Sequence, residues 1–138
     1  MKQLFDLLIA ALTVLMEASG EPRRGKIAVA YVLVNRTKTG RSMTDVIFDP
    51  WDFSCWNTDS PTRMNIDQAS DALFAECLSC ALAAIHGLEP DPTDGAYFYM
   101  NKAVVLAARG ELPSWWFSDT IAGSEIDIGK HTFKKRKV

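Results

Sequence analysis

Glu17 and Glu21 stand four residues apart in the stretch Glu17-Ala18-Ser19-Gly20-Glu21-Pro22. The first closes a strongly apolar run and the second opens the next segment. A carboxylate at a helix C-terminus faces the negative end of the helix dipole. Apolar neighbours such as Leu12 and Met16 add a desolvation penalty. Both effects disfavour the anion, so Glu17 is expected to hold a proton and act as a general acid. Glu21 precedes Pro22 at a helix N-terminus, where the dipole favours the anion. Two acids pushed in opposite directions are what acid-catalysed glycoside cleavage requires. The plainer readings are a solvated glutamate at a frayed helix end for Glu17 and helix capping for Glu21. A role for Glu21 in orienting substrate or Glu17 is the sharper alternative.

Two aromatic stretches could line a sugar-binding cleft: Trp51-Asp52-Phe53-Ser54-Cys55-Trp56 and Tyr97-Phe98-Tyr99-Met100-Asn101. Aromatic faces stack on the apolar faces of sugar rings, and adjacent polar groups read hydroxyls. Phe53, Ser54 and Trp56 are the candidates from the first stretch. In the second, strand alternation puts Tyr97 and Tyr99 on one face and Ala96 and Phe98 on the other. The tyrosines are therefore expected in the cleft and Phe98 in the core. His131, in Ile128-Gly129-Lys130-His131-Thr132-Phe133, is a further candidate for the cleft lining.

Metal and nucleophile chemistry find little support. There is no Gly-x-Ser-x-Gly elbow, phosphate loop or His-Glu-x-x-His pattern. The two histidines form no ligand cluster with recognisable spacing, so no metal or cofactor is expected. Cys77 and Cys80 share a short spacing but fall within a predicted helix, without a second pair, and read as buried structural thiols.

These residues need elements to hold them. Residues 3 to 17 read as a helix apolar on nearly every side, hence central to the core. Gly20 stops it, and Pro22 starts a second helix running to about Arg36. Residues 44 to 48 are a short helix or extended piece. Residues 49 to 63 form a long loop of the kind that often carries function. A third helix from Asn65 or Asp67 to near Gly87 carries the inner stripe Ile66, Ala69, Leu73, Cys77, Cys80 and Ala84. Turn residues 89 to 95 precede a strand at 96 to 100. One or two helical turns at 102 to 110 follow, then two strands around Ala122-Gly123-Ser124. The pattern predicts an α+β domain, mainly α, with a small antiparallel sheet.

The chain has 138 residues, 48% apolar and 23% charged, with net charge −2. That bounds a single soluble domain and excludes a broadly electrostatic nucleic-acid binder. Five of the fifteen basic residues fall between Lys130 and Lys137. Lys134 to Lys137 resemble a nuclear-localisation run, a weak signal, and residues 134 to 138 are equally expected to be a solvated basic tail attracted to anionic cell-envelope polymers, after a catalytic domain over 1 to 133. Three cysteines do not make a disulfide framework. The first apolar run is shorter than a membrane span, and Asp6 interrupts it. It reads as a buried helix rather than a signal peptide or stable membrane insertion.

Taken in order, these segments resemble the SleB-type cell-wall hydrolases, a family of spore-cortex-lytic enzymes and phage-borne endolysins. The resemblance rests on Glu17 to Pro22, Gly25-Lys26-Ile27-Ala28-Val29-Ala30, Asn35-Arg36, Val46-Ile47-Phe48 and Phe53-Ser54-Cys55-Trp56. It continues through Asp91-Pro92-Thr93, Gly95-Ala96 with the aromatic strand, and Ile128 to Phe133, so it spans about Leu8 to Phe133. It implies a lysozyme-like, transglycosylase-related domain that acts on peptidoglycan, with Glu17 as the catalytic glutamate. Ser19 stands where many relatives carry arginine, and Met100-Asn101 where they often have Tyr-Asn-Pro. The implied reaction is cleavage between N-acetylmuramic acid and N-acetylglucosamine, leaving a 1,6-anhydro end. Alternatives are a hydrolytic muramidase with Glu21 as base, a zinc amidase, and a non-catalytic wall-binding virion module. The setting it implies is a monomeric phage lysin, made in the host cytoplasm and acting on the wall after release.

Overall fold

The computed structural model describes residues 1–49, 52–57 and 65–137, with the side chains of Ser54 and Asn65 also outside the description. Three long helices form the body. They are α1 (Lys2–Ala18), α2 (Arg23–Thr37) and α5 (Asp71–Ile85). Short helices α3 (Met43–Ile47), α4 (Asn65–Gln68) and α6 (Lys102–Arg109) fill the connections. Strands β1 (Phe98–Met100), β2 (Ile121–Ile128) and β3 (His131–Arg136) make one antiparallel sheet in the order β1-β3-β2.

Only the second half of the apolar run of α1, from Ile9, enters the core, whereas Leu4, Phe5 and Leu8 at its start are exposed. Ala10, Ala11, Val14 and Leu15 are fully enclosed. Small residues Ala28, Val29 and Val32 of α2 and Cys77, Cys80 and Ala84 of α5 pack around it. Burial pushes the Cys77 thiol up to about 11, so it is an inert core group rather than a nucleophile. The third predicted helix is broken in two. Ser70 accepts a hydrogen bond from Leu73 N at 3.1 Å and caps α5, so the chain restarts there.

Asn35 on α2 ties the sheet to the helices. Its Nδ2 donates to Asp91 Oδ2 at 3.0 Å and to the Ala96 carbonyl at 2.9 Å. Asp91 also accepts from Thr93 N, Thr93 Oγ1 and Gly95 N, an Asx-type turn that sets the entry into β1.

The last two strands turn at Gly129-Lys130, not at Ala122-Gly123-Ser124. Gly129 has φ +59, a left-handed conformation that favours glycine in a tight hairpin. Gly123 instead lies within β2, where the register shifts between Ile121 and Glu125.

The expected basic tail is also revised. Lys134 to Arg136 complete β3, the central strand. Lys134 is 4% exposed, and its Nζ donates to the Trp116 carbonyl at 2.9 Å beneath the Trp116 ring. Lys135 pairs with Asp94, and Arg136 lies over Tyr97. The lysine stem is apolar enough to be buried when its head meets a carbonyl, which sequence charge alone does not reveal.

Deleting residues 134–138 should therefore lower the melting temperature by more than about 10 °C in circular dichroism, since it removes half of a central strand and a buried latch. An unchanged melting temperature would make the segment an appendage after all.

Candidate active site

Glu17 is half-buried in the last turn of α1, between the buried Met16 and Ala18. It lines a cleft of about 710 Å³ with Arg36, Asp52, Phe98, Tyr99, Met100, Asn101, Val104, Val105, Trp115 and His131. Helix α1 supplies the acid, α2 the arginine, β1 and β3 the aromatic and imidazole groups, and α6 an apolar wall.

Tyr99 touches the acid directly. Its hydroxyl donates to Glu17 Oε2 at 3.0 Å. Burial, with help from the Glu17 charge, pushes Tyr99 well above the ordinary tyrosine range. The phenol therefore stays protonated and remains a donor. Its ring is fixed by His131 at 5.0 Å, edge to face, and by Phe133 at 5.6 Å.

His131 sits between the cleft and a buried carboxylate. Its Nδ1 is 3.2 Å from Glu21 Oε1. The approach is off the axis of a hydrogen bond, and Nδ1 has no aligned partner among the described residues. Desolvation lowers the His131 pKa, opposed by the charges of Glu21 and Glu17. The imidazole is neutral at neutral pH.

Glu21 itself does not line the cleft. It is 7% exposed and accepts from Lys130 N at 2.9 Å, in the β2–β3 turn. It does not cap α2 either, whose N-cap residue Pro22 makes no side-chain hydrogen bond. Glycines make room for it. A Cβ at Gly129 would collide with Glu21 Oε2, and one at Gly25 would come within 2.9 Å of Glu21 Cβ.

Arg36 was named only within a motif, and Asp52 only within the aromatic loop, yet both line the cleft. Arg36 donates from Nε to the Tyr97 carbonyl at 2.8 Å and pairs with Asp52 at 3.3 Å. Its guanidinium lies over Phe53, Tyr97 and Phe98 at 5.0, 5.3 and 5.8 Å. Desolvation lowers its pKa, countered by Asp52. Arg41 holds the same Asp52 Oδ2 at 3.1 Å.

The other predicted aromatic residues are distributed differently. Phe98 lines the cleft beside Trp115, ring centroids 6.1 Å apart, rather than joining the core. Tyr97 is held between Arg36 and Arg136 and is not among the residues lining the cleft. Phe53 is 1% exposed, in the core beneath Arg36. Trp56 donates from Nε1 to Thr13 Oγ1 at 2.8 Å and packs on Phe48, bracing the loop on α1. Trp51 and the Ser54 side chain lie outside the described residues. Asn101, Val104, Val105 and Trp115 were missed. The signal for Val104 and Val105 was the amphipathic stretch that forms α6, which Asn101 caps, whereas Trp115 sits in a separate 3₁₀ turn.

Residues 20–134 match the Cell Wall Hydrolase family. The chain belongs to it. Among its relatives are the spore cortex-lytic enzymes of Oceanobacillus iheyensis, 31% identical over 134 residues, and of Bacillus subtilis, 30% identical over 131. These alignments cover 94% and 93% of this chain but only 41% and 37% of those proteins. The fold of this cell wall hydrolase is similar to the catalytic domain of Bacillus cereus SleB, with TM-score 0.63 and 28% identity over 94% of this chain and 89% of the other. The catalytic domain of the germination-specific lytic transglycosylase SleB from Bacillus anthracis gives TM-score 0.62 at 28% identity, covering 94% and 93%. The architecture is the lysozyme-like one expected, mainly helical with a small sheet.

Removing the Tyr99 hydroxyl tests the contact with the acid. Tyr99→Phe should lower kcat about 10-fold with little change in melting temperature, since it removes one hydrogen bond to a charged group and keeps the ring. A full kcat in the variant would make the contact incidental to turnover.

Proposed function

We propose that this chain cleaves the peptidoglycan glycan strand between N-acetylmuramic acid and N-acetylglucosamine by lytic transglycosylation. The observation that carries the reading is the Glu17 carboxylate at the buried end of α1, facing a cleft and contacted by a protonated phenol. In this reading, protonated Glu17 gives its proton to the glycosidic oxygen as the bond to the muramoyl C1 breaks. The C6 hydroxyl of the same muramoyl residue then attacks C1 and closes a 1,6-anhydro ring. Its proton leaves to a base, in the simplest scheme Glu17 itself. No enzymic nucleophile is required, so one carboxylate suffices.

The cleft wall supports a glycan ligand. Trp115 and Val104 are 47% and 61% exposed, and Phe98 and Val105 lie beside them. A polysaccharide offers apolar ring faces to such a wall and hydroxyls to Asn101, Arg36 and Asp52. The Bacillus anthracis relative is a germination-specific lytic transglycosylase, which agrees with this reaction. Asp52, a second carboxylate in the same cleft, favours hydrolysis as the competing outcome. The endolysin setting, with synthesis in a host cytoplasm and action on the wall after release, is part of the same proposal and rests on the sequence alone.

Mass spectrometry of purified peptidoglycan digested by the native protein and by Glu17→Gln tests the chemistry. Anhydro-muramoyl ends from the native protein alone are expected. Reducing muramic ends would mean hydrolysis, and released stem peptides would mean an amidase. Full lysis by Glu17→Gln would sink the acid assignment.

A further inference from the structure

Glu21 and His131 form an arrangement that a single-carboxylate scheme does not use. Glu21 is buried behind the cleft, and glycines at 25 and 129 leave it the space it occupies. Its Oε1 is anchored by the Lys130 N–H and lies 3.2 Å from His131 Nδ1. His131 in turn lines the cleft that holds Glu17. With Nδ1 turned toward the carboxylate, Nε2 is the nitrogen left for a group in the cleft. A small rotation of the ring would align Nδ1–H on Oε1 and fix the tautomer whose Nε2 carries the lone pair.

We propose that His131, backed by Glu21, is a second catalytic residue: the general base that accepts the proton of the hydroxyl attacking C1. The proposal rests on the glycosidase reading above and divides its two proton transfers between two groups. Glu17 gives its proton to the departing glycosidic oxygen, and the bond from that oxygen to C1 breaks. The C6 oxygen forms its bond to C1 while its proton passes to His131 Nε2. The enzyme is left with a Glu17 carboxylate and a His131 imidazolium beside Glu21. A proton returned from His131 to Glu17, directly or through water, restores the starting state.

The surroundings suit that task. The charged and titratable groups facing the imidazole are Glu21 from the α1–α2 turn, Glu17 from α1 and Tyr99 from β1, with Phe133 packing from its own strand. Burial keeps the ring neutral before reaction, and the two carboxylates oppose that shift. An imidazolium formed during turnover thus meets Glu21 at close range. Burying Glu21 for packing alone would be costly, since a buried carboxylate needs compensation that an apolar residue would not.

The test is the pH dependence of kcat and kcat/KM on soluble glycan fragments for the native protein, His131→Gln and Glu21→Gln. The native enzyme should lose activity on the acid side, with a midpoint below the ordinary histidine value of about 6.5, as the base protonates. His131→Gln should lose that limb and about 100-fold in kcat, with KM changed by less than about threefold. Glu21→Gln keeps an acceptor for Lys130 N–H but removes the anion, so the limb should move to lower pH. An unchanged acid limb in His131→Gln, or a kcat within about twofold of native, would overturn the proposal. Should His131→Gln fail to fold, the imidazole titration by NMR in native protein and Glu21→Gln decides. A midpoint unmoved by Glu21→Gln overturns the pairing, and a lowered one supports it. Products analysed alongside separate the two readings: the wrong cleavage chemistry removes the glycosidase assignment, whereas correct products with an unaltered pH limb remove only the base.

Discussion

The α1–α2 turn and the β2–β3 turn meet at one buried carboxylate. Glu21 receives the Lys130 amide and lies against Gly129, so the position of the hairpin relative to α1 depends on it. That position sets His131, the first residue of β3. Strand β3 pairs with β1 in fixed register, Tyr99 opposite Phe133, and so carries Tyr99 to Glu17. A carboxylate is an expensive joint, because its desolvation must be offset by donors in good geometry. Its merit is direction. A methyl-to-methyl contact would tolerate sliding, whereas an amide donating to one oxygen does not.

Three buried cations do comparable work elsewhere. Lys26 donates to the Glu21 carbonyl, Arg36 to the Tyr97 carbonyl and Lys134 to the Trp116 carbonyl. Each accepting carbonyl lies outside the helices and strands, in a turn, just before β1, or in the short 3₁₀ turn at Ser114–Phe117. A backbone carbonyl in such a place has no ladder partner and must be satisfied by a side chain or water. Long cationic side chains satisfy it from within the core while their stems fill apolar space. The loops around the cleft are therefore anchored by point contacts from the helical body and from β3.

The same contacts explain what the sequence made legible and what it hid. Helix α1 and the helix end bearing Glu17 follow from an apolar run stopped near Gly20, a pattern that depends only on local residues. His131 in the cleft followed the same local logic. Tyr97 and Phe98 did not, because alternation along a strand assumes that layers on either side decide the faces. Here β1 is three residues long and Tyr97 precedes it. Two guanidiniums from Arg36 and Arg136 fix the Tyr97 ring, and neither is near it in sequence. The basic run at 134–137 was misjudged for a related reason. Net charge says nothing about which lysine head will find a buried carbonyl. Phe53 and Trp56 were read as a sugar platform from composition, but their partners, Arg36 and Thr13, claim them for the loop's support.

Two glutamates four residues apart in sequence thus both act on one imidazole, Glu21 at 3.2 Å from Nδ1 and Glu17 through its charge across the shared cleft. Glu17 leaves the last turn of α1 toward the cleft, and Glu21, just past the helix end, turns inward under the hairpin. The Gly20 stop makes this possible, because a continuous helix would put residues four apart on the same face. Breaking the helix between them gives one acid access to the cleft and encloses the other. His131, packed edge-on to the tyrosine that touches Glu17 and 3.2 Å from Glu21, is the group through which the enclosed acid can act on the cleft. A short motif at a helix end can in this way place one carboxylate on a cleft and a second, enclosed one behind a titratable group of that cleft.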